Sequence, residues 1–258
     1  MNPVRVIAWN TFREAVRDRV LYNLVFFVLV MITAAVLVGQ ISIGIERLII
    51  VNLGLTAISI FGVVMAIFIG VSLVHKEMER RTLYSLLSKP IHRWEFIVGK
   101  FAGLGLTLLV NTLFMTVGLA LALYYVQGTL RPEDASILLA VFFILLQLTL
   151  LTGIALLFSC YSSPLLSTIF TLGLYVMGLF SADMRTFGAL SKSRFLEGVT
   201  TVLYYLLPNF NSFNVISAVA HENPIPAGLV AYVFLYALTY TVVVLLGAVA
   251  IFSNRNLK

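Results

Sequence analysis

The chain has 258 residues, of which 60% are hydrophobic and 11% are charged, whereas a soluble globular domain carries about 25% charged residues. This composition excludes a soluble domain and indicates a polytopic membrane protein. The single cysteine, Cys160, excludes an internal disulfide framework and a cysteine-based metal site within one chain.

The N-terminal segment predicts an amphipathic elbow helix over residues 3–19 that lies along the inner membrane surface. Apolar residues recur at helical spacing between Val4 and Val16, and charged residues fill much of the remaining surface. Asn2 can cap the start of this helix, and Pro3 suits its first position.

Six apolar runs are long enough to cross a bilayer, which requires about 20 residues per helix. They lie at residues 20–39, 48–74, 101–126, 137–158, 165–180 and 227–252. The fifth run is the shortest. We therefore predict a single all-α membrane domain over residues 1–258 with six transmembrane helices.

The distribution of Lys and Arg predicts the orientation. If both termini lie on one side, 12 of the 17 Lys and Arg residues are on that side. The positive-inside rule then places both termini and the loop at 75–100 in the cytoplasm. Anionic lipid headgroups explain the net charge of +6, so no nucleic-acid partner is expected. The small loops indicate a prokaryotic plasma (inner) membrane.

The charged loop at 75–100 is the most informative part of the chain. Charged residues from Lys76 to Arg81 continue the second span as helical turns, and leucines then supply an apolar face. Pro90 ends that helix, and a new one begins near Arg93. A helix, a tight bend and a second helix form a lever on which a cytoplasmic partner can push. The alternative is a solvated flank that lies on the membrane.

A segment of 46 residues, 181–226, precedes the last span and is not uniformly polar. Apolar residues between Phe195 and Leu206 repeat at helical spacing, which predicts a helix that ends at Leu207-Pro208-Asn209. This helix either lies at the membrane interface or dips into the outer leaflet. Both alternatives remain open, and a dipping segment must satisfy its backbone hydrogen bonds internally, which favours a helix.

Several classes of chemistry lack their sequence signals. No Asp, Glu, Lys or Arg lies near the middle of a span, which argues against an ion-coupled transporter. The sequence contains no GxxxxGK[ST] phosphate-binding loop, no HExxH and no GxSxG. We therefore assign no catalytic, cofactor-binding or metal-binding residue to this chain. Cys160 is expected to be inert.

Two groups of residues inside the spans have open interpretations. Asn111 and Gln147 are either interhelical hydrogen-bonding residues or ligands along a substrate path. Five glycines in or next to the second and third spans allow close helix packing, either within one subunit or between two. They are Gly62, Gly70, Gly99, Gly103 and Gly105.

From Glu77 to Lys100 the sequence follows E-x-E-R-x-T-L-x-x-L-L-S-x-P-I-x-R-x-E-F-I-x-G-K. This pattern resembles the membrane subunits of ABC-2 type transporters, nearest the branch that contains the permease of nitrous oxide reductase maturation. The layout of elbow helix, six spans and outer helical segment is also similar, as is the stretch at 207–210. His92 departs from the pattern, because a Ser or Thr helix cap is expected there.

The resemblance implies a non-catalytic permease that pairs with a second copy of itself or with a paralogue. Two copies of a separate P-loop ATPase subunit would hold ATP and Mg, and the loop at 75–100 would be the coupling helix that contacts them. The residues that this resemblance assigns to ATPase coupling are Glu77, Glu79, Arg80, Arg81, Leu83, Leu86, Leu87, Pro90, Arg93 and Glu95.

Three functions remain open at this point. The chain is the permease of an ATP-driven exporter, or it transmits mechanical work to a periplasmic partner through residues 181–226 without moving a substrate. The third alternative is a scaffold or intramembrane enzyme without an ATPase.

Overall fold

Apolar runs free of internal proline form the long helices of this chain, because a helix satisfies all of its own backbone hydrogen bonds within a bilayer. In the computed structural model, every element of the described residues is an α-helix or a 3₁₀-helix, which confirms the all-α class for them. The described residues are 3–16, 26–27, 29–31, 33–34, 37, 44–79, 92–129, 131–190 and 194–254.

The described residues form nine α-helices and two 3₁₀-helices. They are α1 (Pro3–Ala15), α2 (Glu46–Glu79), α3 (Arg93–Gln127), α4 (Ser136–Ser159), α5 (Pro164–Leu179), α6 (Ser181–Leu190), α7 (Arg194–Leu206), α8 (Ile216–Ala220) and α9 (Ala227–Asn254), with 3₁₀-helices at Pro132–Ala135 and Phe210–Phe213.

Four of these helices are long and apolar enough to cross a membrane: α2, α3, α4 with its preceding 3₁₀ turn, and α9. They correspond to the second, third, fourth and sixth predicted spans. The fifth, α5, is shorter at 16 residues. Most of the first predicted span, 20–39, lies outside the described residues, so the count of six stays a prediction.

Helix α4 lies at the centre of the bundle and packs against α2, α3, α5 and α9. Two glycines allow α2 to approach it closely. A Cβ on Gly62 would lie 2.5 Å from a methyl carbon of Leu148, and one on Gly70 would lie 3.0 Å from Cβ of Ala155. These glycines therefore pack helices within one subunit.

The N-terminal helix α1 packs against the first turns of α3. It buries Ile7 and Thr11 and exposes Trp9. A Cβ on Gly99 would lie 2.8 Å from Ile7, and one on Gly103 would lie 2.5 Å from the carbonyl oxygen of Ala8. Gly99 and Gly103 thus pack against α1 of the same subunit. Residues 17–19 of the predicted elbow helix lie outside the described residues.

We predict that Gly103→Ala lowers the thermal unfolding temperature of the protein in detergent. The new methyl group would meet a backbone oxygen, and overpacking of this kind costs about 1–3 kcal/mol. Gly105→Ala in the same helix is the matched control, because no atom lies within 4 Å of a Cβ there. Equal unfolding temperatures for the two variants would contradict the α1–α3 contact.

Candidate functional site

The bundle has two ends with different chemistry. We call the end near Glu79, Arg93 and Ser253 the loop face, because the predicted coupling loop connects α2 to α3 there. The end near Arg47 and Glu222 is the far face. The predicted coupling loop lies at the loop face, and the helical segment before the last span lies toward the far face.

At the loop face, Arg93 joins the start of α3 to the end of α9. Its guanidinium Nη1 donates to the carbonyl oxygens of Phe252, at 3.2 Å, and Ser253, at 2.6 Å. The last carbonyls of a helix have no partner within the helix, and they attract positive charge. Arg93 therefore stabilises the junction between the two helices.

Buried side chains continue this junction into the bundle. The rings of Phe96 and Phe252 stack with centroids 5.5 Å apart. Ile97, Cys160 and Ala248 complete the same buried cluster, which unites α3, α9 and the end of α4. Cys160 is thus a packing residue in this cluster.

The first turn of α3 is capped by a carboxylate. Glu95 accepts a hydrogen bond of 2.9 Å from the backbone N–H of His92. A carboxylate in the first turn also interacts favourably with the helix dipole. Glu95 thus supplies a cap at the position where the sequence has His92 in place of the expected Ser or Thr.

One turn further along α3, Lys100 is almost fully buried at 1% exposure. Its Nζ lies 5.9 Å from the ring centroid of Phe96, a cation–π geometry. Its neighbour Gly99 contacts α1. The start of α3 is therefore held at once by α1, α4 and α9, so a force applied just before it acts on several helices together.

The structure describes only part of the predicted coupling surface. Arg93 and Glu95 both make contacts within the chain. Glu77 and Glu79 end helix α2, and nothing is described of their side chains. The remaining coupling residues lie outside the described residues: Arg80, Arg81, Leu83, Leu86, Leu87 and Pro90. Their contact with an ATPase stays a prediction.

Asn111 and Gln147 are both buried between helices. Asn111 donates its amide N–H to the sulfur of Met65 in α2. Gln147 donates to the hydroxyl of Tyr175 in α5 at 3.1 Å. At 1% and 4% exposure, both residues are placed as interhelical contacts, and a role in a substrate path stays a prediction.

The segment from Arg194 to Glu222 turns back next to the middle of α9, and we call it the re-entrant segment because of this chain path alone. Tyr240 donates its hydroxyl to the carbonyl oxygen of Leu206 at 2.7 Å. The backbone N–H of Asn209 donates to the hydroxyl of Tyr236 at 2.8 Å. These two hydroxyls satisfy backbone groups where helix α7 ends.

The position of this turn along α9 follows from helix geometry. Tyr236 lies nine residues beyond Ala227, where α9 begins, which corresponds to about 14 Å at 1.5 Å per residue. The turn therefore lies beside the far-face half of the 28-residue helix α9. The choice between an interfacial and a dipping helix stays a prediction.

The turn is also held from α5. A Cβ on Gly178 would lie 2.4 Å from the carbonyl oxygen of Pro208 and 2.6 Å from a ring carbon of Phe210. Phe210 and Phe213 are fully buried. Sequence reasoning missed Gly178 and the two tyrosines, Tyr236 and Tyr240, whose hydroxyls bond to the backbone of the turn. The available signal was the spacing of Tyr232, Tyr236 and Tyr240, which share one face of α9.

We predict that Tyr236→Phe lowers the thermal unfolding temperature. The substitution leaves the backbone N–H of Asn209 without its acceptor, and a buried unsatisfied group costs about 1–3 kcal/mol. Tyr232→Phe is the control, because that ring is 60% exposed on the same helix. An unchanged unfolding temperature for Tyr236→Phe would show that this hydroxyl does not hold the turn.

Comparison with known proteins identifies the family. The family profile described as ABC-2 family transporter protein matches residues 5–257. No significant match was found among curated proteins. The match does not test the narrower likeness to the permease of nitrous oxide reductase maturation, which stays a prediction. The chain therefore belongs to the ABC-2 transporter family, whose members are multi-pass, typically non-catalytic permease subunits of ABC transporters.

Proposed function

We propose that this chain is the permease of an ATP-driven ABC-2 exporter, and that its loop at 75–100 couples a separate ATPase subunit to the bundle. The observation that carries this proposal is the length of α2. Its 34 residues correspond to about 51 Å, against a hydrocarbon core of about 30 Å. Helix α2 therefore extends beyond the bilayer and carries the loop toward a partner.

The return path of the loop supports the same proposal. Helix α3 begins at Arg93, and its first turns are fixed to α1, α4 and α9 through Arg93, Phe96 and Gly99. If the loop moved freely at this point, a displacement imposed by the ATPase would not be transmitted to the helices. Because its second half is fixed, displacement of the loop tilts these helices as one body.

The proposed assembly has two ATPase subunits, which hold ATP and Mg, and a second permease, which is an identical chain or a paralogue. Only 22% of the residues in the apolar stretch of α9 are buried within the subunit, so most of this stretch faces lipid or a second subunit. The loop face is cytoplasmic by the positive-inside rule, as are both termini. The membrane is the prokaryotic inner membrane.

The alternative is a subunit that transmits mechanical work to a periplasmic partner and moves no substrate. One observation favours it. Asn111 and Gln147, the polar residues predicted for a substrate path, are both engaged between helices. In that case the re-entrant segment contacts the periplasmic partner, and its movement drives that partner.

We predict that Glu79→Lys abolishes co-purification of the ATPase subunit that pairs with this chain. The substitution reverses a charge where α2 enters the coupling loop, so a basic side chain would replace an acidic one at the docking surface. The measurement is the ATPase recovered through a tag on the permease alone. Glu133→Lys, an equal change on the far face, should retain the ATPase. Retention by both variants would exclude the docking role of Glu79.

We predict that Pro90→Ala retains the ATPase but uncouples it, because alanine permits the helix to continue through the bend. The readout uses Asn211→Cys, at an exposed position in the re-entrant segment. The measured quantity is the rate at which a membrane-impermeant maleimide labels this cysteine in lipid nanodiscs, with and without ATP and vanadate. Native Cys160 is fully buried. Lys89→Ala is the control. A normal nucleotide-dependent change in Pro90→Ala would refute the lever.

A further inference from the structure

Arg47 joins three segments at the far face. It lies in the first turn of α2, and its Nε donates to the Asp134 carboxylate at 3.0 Å. Its Nη1 lies 3.0 Å from the Glu222 carboxylate and 3.4 Å from the carbonyl oxygen of Ala220. Asp134 belongs to the 3₁₀ turn before α4, while Ala220 and Glu222 end the re-entrant segment.

Glu222 occupies a backbone position that favours glycine. Its φ is +58°, and no other described non-glycine residue has a positive φ. The N–H of Asn223 donates to the carbonyl of Ala218, and the N–H of Glu222 donates to that of Val219. This pattern is a Schellman motif, in which glycine usually follows the helix end. The turn itself therefore does not explain a glutamate here, whereas the ion pair with Arg47 does.

The two ion pairs of Arg47 differ in exposure. The side chains of Arg47 and Asp134 are 10% and 8% exposed, whereas that of Glu222 is 48% exposed. Water screens an exposed pair and weakens it. The Glu222 pair is thus the weaker of the two ion pairs, whereas the contact of Arg47 with the Ala220 carbonyl is buried and α8 packs on α2. The Glu222 contact can therefore form and break while these buried contacts persist.

Helix α2 connects this contact to the coupling loop. It is one unbroken helix from Arg47 to Glu79, and it packs closely on α4 at Gly62 and Gly70. The re-entrant segment is attached to α2 at its far-face end, where α8 packs on that helix, and to α9 at Tyr236 and Tyr240. A relative movement of α2 and α9 therefore pulls on the two ends of this segment.

We propose that the Arg47–Glu222 ion pair is the far end of a mechanical linkage in which α2 transmits displacement of the coupling loop to the re-entrant segment. This inference rests on the proposed ATP-driven function. Glu222 is a positioning residue: its ion pair strengthens the attachment through which the segment follows α2 when the loop moves.

The test uses Glu222→Gly in the complex with its ATPase. Glycine removes the carboxylate and suits the positive φ, so the unfolding temperature should not fall and the ATPase should still co-purify. The nucleotide-dependent change in labelling of Asn211→Cys should be measurably reduced. Asn223→Gly is the matched control. It adds the same flexibility one residue later, keeps the backbone N–H and should behave as wild type.

The outcomes separate the linkage from the function on which it rests. A wild-type nucleotide response in Glu222→Gly overturns the linkage. A lower unfolding temperature with altered labelling in both nucleotide states also overturns it, because the ion pair is then purely structural. Absence of the ATPase or of any nucleotide response in the unsubstituted protein overturns the proposed function, and the linkage with it.

Discussion

Backbone hydrogen bonding in a medium without water is the constraint on which the rest of this structure depends. Each N–H and C=O at membrane depth needs a partner within the protein, which explains why the long helices run without interruption. Regular helix is interrupted where α7 ends. There the hydroxyls of Tyr236 and Tyr240 pair with backbone groups of the turn, and Gly178 lets α5 close over it. A break in regular structure is thus tolerated because side chains from α9 supply its missing partners.

The same need for partners organises the loop face. The last carbonyls of a helix lack partners within the helix, and the guanidinium of Arg93 donates to those of Phe252 and Ser253 in α9. This contact makes the first residue of α3 part of a junction with α9. The stacking of Phe96 on Phe252 and the packing of α1 against Gly103 extend that junction. Arg93 is therefore a residue of the bundle as well as of the predicted coupling loop, and its substitution would test both roles at once. Glu79 and Pro90 are the sharper probes of the loop itself.

The two faces are linked by the geometry of a single helix. Because α2 runs without a break from Arg47 to Glu79, a displacement at one end reaches the other. The proposed exporter and the proposed mechanotransmitting subunit share this arrangement, and they differ in what the re-entrant segment acts upon. An exporter requires that the segment open a path for a substrate. The alternative requires only that it move against a partner beyond the membrane.

The sequence by itself determined the membrane class, the all-α fold, the helix at 194–206 and the transporter family, because hydropathy, helical periodicity and the motif at 77–100 are local properties of the chain. It could not decide which residues meet across helices. Only the tertiary structure placed Gly99 and Gly103 against α1, Asn111 and Gln147 between helices, and Arg47 beside Glu222. The last two residues are 175 positions apart in the sequence. Their pairing arises from the way the re-entrant segment returns to the far face, which no local pattern encodes.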